Sequence, residues 1–248
     1  EGKFYLWTEK EIRCILGKEA DCIMKVFNVE KTGNFKEETT GRETGRNILH
    51  LTKALDESVP SLVVTERGFQ QRLEKARQQL FIRRESRVHP DKDDKVLTDW
   101  NGLMIAALAK ASQVFGDTTY AEAAERASGF ILSRMRRADG RLLHRYRDGQ
   151  AAISAHADDY AFLIWGLIEL YEASFKTRYL QAALELNKDF LSHFCDHTNG
   201  GFYLAADDGE NLLLRQKEAY DGATPSSNSV AMLNLLRLSR LTADPELE

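Results

Sequence analysis

Three stretches of the 248-residue chain place acids, amides and aromatics just ahead of a strongly apolar run. They are Thr98-Asp99-Trp100-Asn101, His156-Ala157-Asp158-Asp159-Tyr160 and Ser226-Ser227-Asn228-Ser229. Asp, Ser and Asn are favoured helix N-caps, because each offers an acceptor to an orphan backbone N–H, worth about 1 kcal/mol. Capping accounts for one such residue per helix. It accounts less well for the doubled acids, or for the aromatic that follows the Asp in the first two stretches. Sugar sites combine carboxylates with aromatic faces, since a sugar ring presents hydroxyls on its edge and C–H groups on its faces. Asp99 and Asp159 stand sixty residues apart, and two carboxylates several Å apart can serve as general acid and base in glycoside cleavage. The competing reading is a pair of equivalent caps.

Around these two acids the sequence offers further groups. His156 is a proton-transfer candidate near neutral pH, or simply a loop residue. Trp100 and Tyr160 are candidate platforms, with Asn101 beside them. The polar run "RQKEAYDGATPSSNS" at 215–229 adds Glu218, Tyr220, Asp221 and Asn228 as hydrogen-bonding candidates, with Pro225 fixing a turn. Arg145 and Arg147 suit an acidic sugar, although solvated Arg on a strand edge is commoner. The acids of "HPDKDDKVLTDW" lack the central Gly and closing Glu of a calcium loop. No Gly-rich phosphate loop, no Gly-x-Ser-x-Gly and no zinc-type His/Cys spacing occurs. The expectation is therefore no metal and no cofactor.

The elements that must position these groups repeat. Segments 99–115, 160–172 and 230–241 are apolar on most sides, the mark of helices buried on most sides. Between them, 118–136 and 178–195 carry a single apolar stripe at helical spacing (Tyr120, Ala123, Ala124, Ala127, Ile131; Tyr179, Ala182, Ala183, Leu186, Phe190). Each return link ends in an Asp-Gly hairpin signal, Asp148-Gly149 and Asp208-Gly209, again sixty apart. The unit is an inner helix, an outer helix and a small β-hairpin. The fold expected is mainly α, with inner/outer pairs of an (α/α)6 toroid whose loops and inner-helix N-termini share one face, where ligands bind readily. A helical solenoid with a protein-binding concave surface is the alternative. Residues 1–90 read as a lead-in packing on a barrel of 91–248. In it "GKFYLWT" is a strand, Thr8 caps a helix with Glu11 completing a capping box, 31–47 is polar loop and 66–87 a charged helix.

Composition narrows the classes. Hydrophobic residues are 43%, charged residues 29% and net charge −4, with no long basic run. Nucleic acid is thus not an expected partner, and no stretch is apolar enough for a membrane span. Cys14, Cys22 and Cys195 form no Cys-x-x-Cys, which suggests a reducing, cytoplasmic setting.

The blocks "DDKVLTDWNGLMIAALAKA", "DGRLLHRYRDG", "DDYAFLIWGLIELYEA" and "KEAYDGATPSSNSVAMLNLLRL", with "EGKFYLWTEKEI" ahead of them, resemble the thioredoxin-domain-containing protein family related to spermatogenesis-associated protein 20. The resemblance implies a six-hairpin (α/α)6 barrel similar to glycosidases and N-acylglucosamine 2-epimerases, and a thioredoxin-like domain in the full-length protein. It implies paired acids, falling on Asp99 and Asp159, if the chemistry is hydrolytic, and histidine bases, falling on His156, if it is epimerisation. The chain itself shows no thioredoxin-like segment, and reads as a middle portion with two complete helix pairs and the start of a third. Two functions are carried forward: a carbohydrate-active domain with a small sugar ligand, or a non-catalytic helical module serving the redox domain.

Overall fold

The structure is a computed structural model that describes residues 2–37, 39–55, 66–210 and 212–247. The chain divides into two compact units, Glu1–Asp93 and Asp94–Glu248.

In the first unit, the run expected to be a strand begins as a short helix, α1 (Gly2–Tyr5), with only Trp7–Thr8 extended as β1. Tertiary packing overrides β-propensity here: Phe4 is buried against His89, and the Arg87 guanidinium collects the Phe4 and Leu6 carbonyls. Thr8 caps α2 (Glu9–Leu16) by accepting from Glu11 N. The Glu11 carboxylate turns to Arg87 at 2.8 Å, so it is used in an ion pair across the unit. After α3 (Ala20–Val26), the polar loop returns to pair β2 (Arg46–Asn47) with β1. The fully buried Asn47 amide takes the Glu30 and Asn34 N–H groups and gives its own to Trp7 O and Glu30 O. The charged helix α4 (Glu66–Glu85) lays Phe69, Ala76 and Leu80 into the core, the stripe its spacing predicts.

The second unit is the repeat. Helices α5 (Thr98–Phe115) and α6 (Thr118–Arg134) form one antiparallel pair, α7 (Ala157–Ser174) and α8 (Thr177–Phe194) the next, and α9 (Ser227–Thr242) packs on the far side of α7. The burial matches the hydropathy. In α7 nearly every residue from Ala157 to Leu170 is buried, whereas α8 buries only the stripe Tyr179, Ala183, Leu186, Asn187, Phe190 and Phe194. The two inner helices α5 and α7 touch backbone to backbone. A Cβ on Gly102 would lie 2.5 Å from the Phe162 carbonyl carbon, and one on Gly166 would lie 2.7 Å from Gly102 O. Away from the helix starts, Glu169 on α7 ties the inner helices together, meeting Lys110 of α5 at 2.8 Å and Arg237 of α9 at 2.7 Å. Burial alone would raise the Glu169 pKa; the two cations outweigh it and hold it below the usual carboxylate range.

The first return link forms the expected hairpin: β4 (Leu143–Arg147) and β5 (Gln150–Ser154) turn through Asp148-Gly149, both at positive φ as a type I′ turn requires, and β3 (Val96–Leu97) adds a third strand. The second link does not. Among its described residues the pairing is reduced to the bridge Cys195–Phe202 and the bond Leu204 N→Gln216 O. Side chains replace the ladder. Asp196 accepts from Lys217 at 2.5 Å, Asn228 clips both the N–H and the C=O of Phe202, and Arg215 holds Ala205 O.

Candidate functional site

The starts of α5 and α7 lie side by side, roofed by the β3–β4–β5 sheet. Helix α5 is not capped by its own sequence. Its N-cap is Leu97, which has no capping side chain, and Asp99 lies one residue inside the helix, where its Oδ1 accepts from Trp100 N at 2.7 Å. The missing acceptor comes from the other helix. Asp159 Oδ1 accepts from Asp99 N at 3.0 Å, while its Oδ2 accepts from His156 N at 2.7 Å and closes the capping box of α7. One fully buried carboxylate therefore caps two helices. His144, on β4, places Nδ1 at 3.0 and 3.1 Å from the two oxygens of the same carboxylate.

This geometry corrects two of the expected roles. Asp159 is 0% exposed, with its lone pairs committed to two backbone N–H groups and one imidazole, so it is a structural bridge rather than a free acid or base. Tyr160 is also 0% exposed. Its hydroxyl donates to Asp189 and accepts from Leu142 N and Arg141, and burial with the Asp189 contact pushes its pKa up to about 12. It is a core pillar stacked among Phe190 and Phe194, with no face for a sugar.

What the mouth exposes is different. Trp100 is 64% exposed and free to stack. Asp99 and Asp158 are both half-buried, and each carboxyl is held above its ordinary range, first by burial and then by the neighbouring Asp159 charge. His144 is raised by its bond to Asp159. The imidazoles of His144 and His156 meet edge to face, ring centroids 5.4 Å apart, with side chains 23% and 44% exposed. His156 lines a cleft of about 350 Å³ between Ile153–Ala155 and the residues Ala205, Ala206, Gly209, Glu210 and Leu212. Opposite His144 in the hairpin register, Ile153 sits at φ 67°, a conformation a β-branched residue adopts only under constraint.

The remaining sequence candidates serve the scaffold. Asn101 Nδ2 donates to Leu97 O, and Asp221 accepts from Ser226 N and so fixes the residue that caps α9. The Asn228 amide is spent on Phe202 and Glu218 O, which removes it as a ligand contact. Glu218 and Tyr220 are exposed on the adjoining loop, Glu218 close enough for its charge to act on Asp158.

Two groups went unread in the sequence. His144 is signalled only by strand alternation, and Asp158 by the helix starts. Helices α5 and α7 begin at Thr98 and Ala157, a repeat of 59 that pairs Asp99 with Asp158; the 60-residue spacing of the turns points one residue too far. For a metal, His144, His156 and Asp159 offer ligand atoms within 4.8 Å of one another, as do His193, Asp207 and Asp208.

The fold is that of sugar enzymes built from α/α hairpins. Cellobiose 2-epimerase from Bacillus thermoamylovorans superposes with a TM-score of 0.53 at 16% identity, covering 64% of this chain and 43% of that one. A family 105 glycoside hydrolase from C. acetobutylicum superposes at 0.50 with 17% identity, covering 73% and 54%. At these identities the likeness is one of fold. No family model matches the sequence. The chain is homologous to spermatogenesis-associated protein 20: the Homo sapiens protein is 31% identical over 264 residues, covering 98% of this chain and 34% of that protein. It thus spans about a third of the length of the curated relatives it matches. No helix of the described residues is long and apolar enough to cross a membrane.

Proposed function

We propose that this unit is carbohydrate-active and acts on a reducing sugar by proton transfer, as an epimerase or isomerase does, rather than by glycoside cleavage. The observation that carries the reading is the pair of imidazoles at the mouth, His144 and His156, braced on a carboxylate that is itself withdrawn from solvent. Proton transfer beside a carbonyl is served by imidazoles, which can both take and give a proton. One imidazole takes the C2 proton, and the electron pair passes into the C1 carbonyl as an enediolate. The same imidazole returns the proton to C1 or C2 from that face, while the second, beside it, moves a proton between O1 and O2. Trp100 supplies a platform. A two-carboxylate hydrolysis with Asp159 is disfavoured because both its oxygens are in use; Asp99 with Asp158 is the pair such a mechanism would need.

The test is proton exchange. Reducing mono- and disaccharides incubated with the protein in D2O should gain deuterium at C2 by NMR, and His144→Asn or His156→Asn should reduce exchange by about 100-fold or more. A panel with no exchange above the buffer rate sinks the reading.

The second reading, a non-catalytic helical module serving an attached thioredoxin-like domain, draws support from Met232, Leu233 and Leu236, which leave an apolar face of α9 exposed. The free thiols of Cys14, Cys22 and Cys195 fit a cytoplasmic setting for either.

A further inference from the structure

We propose that His144 Nδ1, His156 Nδ1 and an oxygen of Asp159 form a binding site for one divalent transition-metal cation, zinc by preference, at the mouth of α5 and α7, the cation replacing the hydrogen bond between His144 and Asp159 while the two backbone N–H groups keep theirs. Zinc bonds imidazole nitrogen and carboxylate oxygen at about 2.0–2.2 Å, so neighbouring ligand atoms of a tetrahedral site lie roughly 3.3 Å apart. His144 Nδ1 is 3.0 Å from Asp159 Oδ1, and His156 Nδ1 is 3.8 Å from Asp159 Oδ2. One ligand atom from each of the three residues lies within 4.8 Å of the others, a spacing that a single cation can bridge.

The surroundings supply what such a site needs beyond its ligands. Asp159 is fixed by the backbone N–H groups of Asp99 and His156, which orient its oxygens as an outer shell does. Asp99 and Asp158 flank it, so three carboxylates face two imidazoles and the local charge favours a cation. Both imidazoles are partly exposed, and His156 lines an open cleft, so the histidine side of the cluster is reachable from solvent. The other His/Asp cluster lacks this balance: Arg141 already occupies Asp208 at 2.7 Å.

Coordination needs both Nδ1 atoms unprotonated, so the proton that His144 holds against Asp159 must leave Nδ1, to Nε2 or to solvent, and both imidazoles are taken out of proton transfer. That inhibitory consequence rests on the function proposed above; the binding itself does not.

The experiment is a titration of the protein with zinc by calorimetry and with cobalt by visible absorption. One cation per chain should bind, with the d–d absorption of low-coordinate cobalt. His144→Ala and His156→Ala should each weaken binding by roughly tenfold or more, while Asp207→Asn with Asp208→Asn should leave it unchanged. The wild-type titrations alone overturn the proposal if no cation binds, so a variant that misfolds does not protect it. Binding that survives both histidine variants, or is lost with Asp207 and Asp208, overturns it as well. If zinc binds as described and leaves sugar proton exchange untouched, the site stands and the catalytic role of the two histidines falls.

Discussion

The starts of α5 and α7 carry nearly the same residues and do opposite work. At α7, Asp159 is sealed from water and satisfies N–H groups of two helices. At α5, Asp99 keeps one local bond, is half-buried, and has its pKa raised by the very carboxylate that caps its helix. The same side chain is a bridge between helices in one place and a half-buried, locally bonded acid in the other. The difference comes from a displacement of one residue in register and from a histidine on the strand above. One carboxylate thus caps both helices once it can reach across, and Asp99 is left without a capping duty between helices.

Breaking that division of labour should have graded effects. Asp159→Ala leaves two buried N–H groups and His144 unpartnered, and should cost about 3–5 kcal/mol in urea unfolding; a loss below 1 kcal/mol would deny the double cap. Part of this cost should depend on pH. Since the folded state raises the His144 pKa, the His144–Asp159 pair stabilises fully below about pH 6.5 and fades as pH rises through the higher folded value. In metal-free buffer Asp159→Asn should flatten that slope. Tyr160→Phe should cost about 1–3 kcal/mol by stranding the Leu142 N–H and Asp189, yet spare sugar turnover; lost turnover at full stability would restore Tyr160 as a contact. Asp99→Asn and Asp158→Asn should each stabilise the fold by about 0.5–1 kcal/mol at neutral pH. The sign follows from the raised pKa values: the ionised carboxyls oppose folding above the folded pKa, and the penalty disappears as pH falls below it. The advantage of the variants should therefore vanish in acid. Trp100→Ala, at an exposed position, should stay within about 0.5 kcal/mol of wild type while weakening any sugar complex.

The helices were legible because burial on all sides and burial along one stripe write different patterns, and α7 and α8 follow theirs residue by residue. The first hairpin was legible in Asp148-Gly149. The second signal, Asp208-Gly209, predicted a hairpin that does not form, because Asn228, Arg215 and Lys217 hold that link through side chains distant in sequence. The site was legible only as a neighbourhood. A spacing of sixty located the mouth but chose Asp159 over Asp158, and a cap supplied by a different helix has no local signature. His144 was hidden among basic strand residues for the same reason: its partner lies fifteen residues away on another element.

The glycine contact between α5 and α7 sets how freely the mouth can change. Gly102 lies less than one turn from Asp99, and the backbones there meet with no side chain between them. The separation of the two helix starts is therefore a main-chain dimension, like the gauge of a track, and substitutions at Asp99, Asp158 or His144 can exchange one chemistry for another without altering it. A single methyl at Gly102 would do the reverse. It would keep every side chain of the mouth and spoil their alignment, so Gly102→Ala should abolish the sugar proton exchange proposed above, read by NMR in D2O, while leaving the side-chain inventory intact.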